Sequence, residues 1–445
     1  MIRRTIREWE RIGYGEGPDE IPAPLADRLV ATARASAFAG RGGEGVLEHG
    51  RTGLRARGVV GVIAAPGCQL EILPKIEGAG ETDVPEVRLR TRLVQMLALA
   101  HDLPLEAGSI AALDWQRDTL LEVLIRLFCQ KLADALRQGL PRAYLGHVDD
   151  LPALRGQLDV VRQFSLRAVA PDRLACRFDS LSPDIALNRV MRAAIAKLSR
   201  VSGAPDNQRR LRDLAFAYAE VAELSPAALL WNEIVLDRTN RRWRDLLALA
   251  RLFLRDMHQE TRAGSMEGHA LLFEMNALFE AYVERLLARA LVGTGYRVVA
   301  QGGHRDCLYE GQTGRFRTRP DLIIRRGAEI ALIIDTKWKR MTPRIDDPKQ
   351  GVAQGDVYQL MAYGRLYDCP RVMLLYPHHG ALKGGPVRQR YAIARPDAPE
   401  ALTLATLDLA QPVPPQRDAL RDLILSETDP NALHPARDTA TFASI

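Results

Sequence analysis

Cysteine is scarce and scattered in this sequence: Cys68, Cys129, Cys176, Cys307 and Cys369 are all there is in 445 residues. No pair approaches CxxC spacing, which excludes a zinc ribbon, and an odd count argues against a disulfide framework. Long apolar runs are missing too. Nothing approaches the ~18 residues of a membrane span, and the opening MIRRTIREWERIG has no apolar signal core, so a soluble, cytoplasmic setting without a membrane partner is expected. Nucleotide and hydrolase signatures are equally lacking: there is no GxxxxGK[ST], no HExxH and no GxSxG. The one GxGxxG match, Gly40 to Gly45, follows an Ala-rich helical stretch instead of a strand and reads as a loop. No nucleotide is expected to bind this chain. Internal repeats and low-complexity tracts are not found.

What is present describes a globular protein. Hydrophobic residues make up 47% and charged residues 26%, and 61 Lys and Arg against 55 Asp and Glu leave a mild +6, which permits an anionic partner without demanding one. The length is about three times the ~150-residue domain prior, so two or three domains are expected. Residues 1–84 read as a β-rich module, with strands at Val59 to Ile63 and Gln69 to Leu73 around a Pro66-Gly67 turn. Residues 85–268 read as mainly helical: VRLRTRLVQMLALAHD, TLLEVLIRLFCQKLADALRQGL closed at Gly139, NRVMRAAIAKLSRVSG and WRDLLALARLFLRDM all carry 3.6-residue periodicity. Residues 269–396 begin with a helix, Leu271 to Leu291, followed by a hairpin, a helix near Val357 to Leu366 and the strand RVMLLYP, an α/β pattern. Residues 397–445 form an extension with one strand, one helix and a polar tail expected to be poorly ordered. The class is multidomain α+β.

Chemistry concentrates in RTRPDLIIRRGAEIALIIDTKWKR, Arg317 to Arg340. It reads as a hairpin around Gly327 whose second strand is buried on both faces, yet Asp335 and Lys337 continue that strand, two apart and hence on one face. With the turn near Gly327, Asp321 is expected opposite residue 333, which makes Asp335 its diagonal neighbour at roughly 7–8 Å. Two carboxylates and an ammonium then converge. Asp321 and Asp335, with the Thr336 carbonyl, suit Mg²⁺, or Mn²⁺ in its place, beside a scissile phosphate, with Lys337 orienting the attacking water. A structural ion pair at a strand end is the competing reading; charge at a buried strand end calls for a partner or a task. Arg315, Arg317 and Arg319 share the Asp321 face if the strand extends that far, which would make a phosphate-gripping rim.

This arrangement resembles the PD-(D/E)xK nuclease core, and DVYQLMAYG adds Gln359 and Tyr363 at the QxxxY spacing of its RecB-like branch, on one helix face able to contact DNA. Nucleases with this core often carry an acidic residue on the first helix. Of Glu274, Glu280 and Glu284, the resemblance makes Glu280 the candidate for water positioning. LEILPKI at Leu70 to Ile76, Arg155-Gly156 and FDSLSPDIALNRVMRAAI resemble segments of the McrC family, the nuclease subunit of McrBC-type 5-methylcytosine restriction systems. That resemblance implies a restriction-endonuclease-like core in the third segment, a Mg²⁺-dependent DNA endonuclease, and a partner of the McrB kind, a hexameric AAA+ GTPase that this chain stimulates, docked through residues 1–84. Two other readings stand beside it: a self-sufficient nuclease of repair or recombination, and a non-catalytic assembly and GTPase-activating subunit.

Overall fold

The computed structural model describes residues 2–34, 46–75, 84–102, 119–165, 172–238, 240–259, 268–342, 349, 351–382, 384–394 and 400–428. The glycine-rich run at 40–45 and the polar tail beyond 428 lie outside them. Among the described residues no helix is long and apolar enough to cross a membrane, and all five cysteines are free thiols. The chain divides into two units: one of residues 1–34, 38–116 and 272–445, the other of residues 35–37 and 117–271.

The first unit opens with Ile2–Arg7, which pairs in parallel with Cys68–Leu73. Cys68–Leu73 in turn pairs antiparallel with Val59–Ala65. Pro66-Gly67 makes that turn, and Gly67 takes the left-handed φ of +88° that only glycine adopts without strain. Every residue of both hairpin strands is buried. The helix Ala23–Arg34 covers one face through Ala26, Leu29 and Val30. A smaller sheet orders Glu20–Ile21, Arg11–Tyr14, Gly53–Ala56 and Leu47–His49 beside it.

The helix Glu86–Ala100 belongs here also, not to the helical middle to which the sequence assigned it. Its Arg90 is locked in a nearly dry ion pair with Glu71 of the hairpin (2.7 Å) and bonds Glu86 (2.6 Å).

A six-stranded sheet, three helices and a short hairpin complete this unit; we label the strands of the sheet and the helices β1–β6 and α1–α3. The strands are β1 (Tyr296–Ala300), β2 (Leu322–Arg326), β3 (Glu329–Thr336), β4 (Arg371–Pro377), β5 (Val387–Ala392) and β6 (Ala401–Leu407), in the order β1-β2-β3-β4-β6-β5. β2 runs antiparallel to both β1 and β3, β3, β4 and β6 run parallel, and β5 returns antiparallel at the edge. The helices are α1 (Met275–Ala290), α2 (Gln354–Leu366) and α3 (Val413–Thr428). α2 is the β3-to-β4 crossover and packs on one face over Ile323, Ile333, Val372 and Leu374. α1 and α3 pack against each other, with Tyr282 donating to Gln416 Oε1 at 2.8 Å.

Two expectations fail here. The predicted helix from Leu271 starts only at Met275: His269–Glu274 is a strand, because its apolar run lies in the N-terminal sheet beside Val59–Ala65. The boundary at 396 cuts a single sheet, since β6 is the inner neighbour of β4, and Glu427 of α3 accepts from Thr403 (2.7 Å) and Arg390 (2.9 Å).

The second unit is built on the helices Leu120–Leu136, Ala186–Val201, Pro205–Ala217 and Arg244–Arg251. Gly139, at φ +99°, follows the first of them as its left-handed stop. The sequence missed the three-stranded antiparallel sheet of Ala143–Leu151, Leu174–Ser182 and Gln157–Leu158, whose exposed, charge-interrupted strands lack a continuous apolar run.

Candidate active site

β3 leaves the tight turn at Gly327 (φ +61°), where Arg326 pairs with Glu329. A regular ladder from that turn would place Asp321 opposite Ile334, with Asp335 on the other face. A β-bulge prevents this. Arg325 pairs with Ile330 but Ile324 pairs with Leu332, so Ala331 is the extra residue and the register becomes Leu322 to Ile334. Ile330 and Ile333, three apart, consequently enter the same core under α2. Carried one residue on, the register sets Asp321 directly opposite Asp335, a correction to the expected diagonal placement opposite residue 333.

At that point the Asp321 side chain takes over the pairing: Oδ2 accepts from Thr336 N–H at 2.8 Å and Thr336 Oγ1 at 2.9 Å. Asp335 is only 1% exposed, and its Oδ2 lies 2.6 Å from Lys337 Nζ. Burial, and then the charge of Asp321, hold the Asp335 carboxyl above the usual carboxylate range, while Lys337 pulls the other way. Burial alone would depress the Lys337 ammonium, but Asp335, Asp356 and Asp321 outweigh it and raise its pKa, so the lysine stays charged.

Glu280, on α1, faces this group. Gln301 Nε2 donates to its Oε1 at 2.9 Å, and the Gln301 backbone N–H donates to Asp321 O at 2.8 Å. Burial and the Asp321 charge push the Glu280 carboxyl up to about 7. Tyr363 of α2 is buried beside them, its phenol raised by burial first and by the Asp335 and Asp321 charges as well. Gln359 Nε2 donates to Tyr363 Oη at 2.7 Å, so the predicted pair does share a face.

The arginine rim does not form as expected. Arg315 and Arg317 lie on a separate hairpin of Asp306–Glu310 and Thr313–Arg317, because the chain leaves the strand conformation at residues 318–320, ending at Pro320, before β2 begins. Arg315 is spent on Glu310 (2.9 Å), while Arg319 reaches the site by bonding Gln301.

Two residues escaped the sequence. Asp356 of α2 bonds Lys339 Nζ at 2.8 Å and stands 3.9 Å from Lys337 Nζ. Tyr376 of β4 lies beside the end of β3, concealed in sequence by the apolar run RVMLLYP.

The N-terminal sheet also touches this strand end. Trp338 Nε1 donates to Glu8 Oε2 at 2.8 Å and Trp9 Nε1 to Glu8 Oε1 at 3.1 Å, while the Trp338 ring packs 5.4 Å from that of Phe279. Burial pushes the Glu8 carboxyl up from 4.5 to about 6 despite both indoles. Folded protein therefore holds this proton more tightly than unfolded chain does. The associated stability is complete below pH 4.5 and lost as pH rises through 6, on the order of 2 kcal/mol. Melting temperatures of wild type and Glu8→Gln should diverge across that window, wild type losing ground with rising pH; a constant difference from pH 4 to 8 would contradict this.

Three carboxylates, Glu280, Asp321 and Asp335, thus act on one another electrostatically with one ammonium directly among them. Among the described residues no three acidic, His or Cys side chains close around one point; Asp335 is turned to Lys337 and Asp321 to Thr336. The donors are hard oxygens with an excess of negative charge, which fits Mg²⁺ or Mn²⁺.

A family model described as McrBC 5-methylcytosine restriction system component matches residues 54–377. The structure described as a refined half-complex from the tetradecameric assembly of Thermococcus gammatolerans McrB AAA+ hexamers with bound McrC contains a similar chain: 19% identity, TM-score 0.68, 95% of this chain and 100% of that one. A chain of the cryo-EM structure of the Thermococcus gammatolerans McrBC complex is 22% identical at TM-score 0.52, covering 68% of this chain and 89% of that one. No curated protein matches. At these identities the likeness is one of fold.

Proposed function

We propose that this chain, which belongs to the McrBC 5-methylcytosine restriction system component family, is the DNA-cutting subunit of such a system, an endonuclease on a PD-(D/E)xK core. One observation carries the reading: a bulged hairpin brings Asp321 opposite Asp335 at the end of a buried strand, with Lys337 on the same face. Asp321, Asp335 and the Thr336 carbonyl would hold Mg²⁺ or Mn²⁺, which supplies Lewis-acid polarisation of the phosphate and a more acidic water. Lys337 orients the attacking water and offsets charge developing on the phosphoryl oxygens. Glu280, fixed by Gln301, accepts a hydrogen bond from that water. Gln359 and Tyr363 back the site against the DNA phosphate, and Arg319 is what remains of the rim on this face.

The partner we assign is a AAA+ GTPase of the McrB kind, since the solved relatives are described with McrC bound to McrB hexamers; residues 1–84 are the docking module. The test is cleavage of methylated and unmethylated plasmid by this chain with and without that partner, GTP and Mg²⁺. Cutting that needs the methylated plasmid, the partner and the nucleotide is expected. Robust cutting of unmodified DNA by the chain alone would replace this reading with a self-sufficient nuclease, and full activity of the Asp321→Ala, Asp335→Ala double variant would remove the site.

A further inference from the structure

Tyr376 is 2% exposed, and its hydroxyl makes no hydrogen bond with any described residue. A buried phenol without a partner is uncommon and asks for an explanation. Its position supplies one. β3 and β4 pair in parallel with Asp335 beside Leu374 and Thr336 beside Leu375, and Lys337 N–H donates to Leu375 O at 2.9 Å. The next cross-strand neighbours are Lys337 and Tyr376, on the face that Leu374 presents to α2. From α2 itself, Asp356 reaches toward the same ammonium, 3.9 Å from its Oδ1, while its Oδ2 is held by Lys339 at 2.8 Å.

Lys337 and a divalent cation compete for one carboxylate. As it stands, Nζ lies 2.6 Å from Asp335 Oδ2, and Asp335 can present that oxygen to a cation only if the ammonium withdraws. An ammonium with 18% of its side chain exposed does not give up a partner without another acceptor to receive it. Asp356 Oδ1 stands 3.9 Å from it, and the next cross-strand residue, Tyr376, carries an Oη whose lone pairs are unused.

We infer that Asp356 and Tyr376 are positioning residues that form a second cradle for the Lys337 ammonium, occupied when Asp335 is released to the metal. The inference rests on the nuclease reading above and adds that Lys337 has two resting places. The electrostatics agree: after burial, the charges of Asp356 and Asp335 are what raise the Tyr376 phenol.

The test needs no DNA in its first arm. Mn²⁺ binding to the full chain, followed by electron paramagnetic resonance of the free ion, is expected to weaken roughly tenfold in Tyr376→Phe, the size of effect found when the outer partners of metal ligands are removed. Without metal the variant should melt at the same temperature or higher, because only an unpaired hydroxyl is lost. In the second arm, cleavage at limiting Mg²⁺ should fall by a similar factor and recover as Mg²⁺ is raised, with KM for DNA unchanged. Asp356→Asn should shift Mn²⁺ binding in the same direction. A merely structural tyrosine would lower the melting temperature and leave the Mg²⁺ midpoint where it was. If wild type binds Mn²⁺ and cuts DNA but Tyr376→Phe matches it in both, the cradle is wrong and the nuclease reading stands. A wild type that neither binds Mn²⁺ nor cuts overturns both.

Discussion

Replacing Asp335 by asparagine is expected to abolish DNA cleavage, by at least ~10³-fold, while leaving the chain folded. The exchange keeps the shape of the side chain and removes the charge that would bind a cation. Breaking a buried ion pair ordinarily destabilises by about 3–5 kcal/mol, but two features soften that here. The carboxyl already sits above its usual range through burial and the Asp321 charge, so its ionised form is strained. The ammonium left behind still has Asp356 within 3.9 Å. A near-unchanged melting curve together with lost cleavage marks a residue kept for chemistry at the expense of stability. Cleavage within tenfold of wild type, measured with the partner and GTP present, would refute the assignment of this carboxylate.

The second large effect concerns the far end of the chain. A protein ending at residue 396 is expected not to fold its first unit at all, whereas one ending at 428 should behave as the full chain. The shorter form loses β6, the parallel neighbour of β4 over seven register pairs, and with it the buried Leu402, Leu404, Ala405 and Leu407. It also loses α3 with Leu420, Leu423 and Ile424, the Gln416 partner of Tyr282, and Glu427, which gathers Arg390 and Thr403. At roughly 1.5–3 kcal/mol for each large apolar side chain, the loss is as large as the ~5–15 kcal/mol by which domains are stable. Soluble 1–396 protein with a cooperative melt within a few degrees of wild type would show that residues 397–428 are an appendage after all.

These outcomes bear on how far the sequence could be read. Asp335 and Lys337 were legible because charge on a strand otherwise made of Ile and Leu stands out against burial, and Asp321 was legible from Pro320 and the run that follows. The pairing between them was not, because Ala331 bulges out for reasons set by the turn and by the Ile330 and Ile333 contacts under α2. Composition gives no mark for that. Leu271 to Phe273 illustrates a different limit: a short apolar run has no period, so strand and helix fit it equally, and only its place beside Val59–Ala65 decides. The arginines failed for a backbone reason, the break at residues 318–320, which ends their hairpin strand before β2 begins. Tyr376 was invisible because its meaning depends on which strand lies next to β3, a fact of topology.

The bulge gives the hairpin one residue of slack. Deleting Ala331 would leave a regular ladder in which Ile324 still meets Leu332 and Asp321 still faces Asp335; inserting one residue opposite it would do the same. The thirteen residues between Asp321 and Asp335 can thus become twelve or fourteen without moving either carboxylate off the shared face. Length variation at this hairpin is expected to be nearly silent in cleavage assays. A search for related chains that fixes the interval between the two aspartates would pass over members whose geometry is the same.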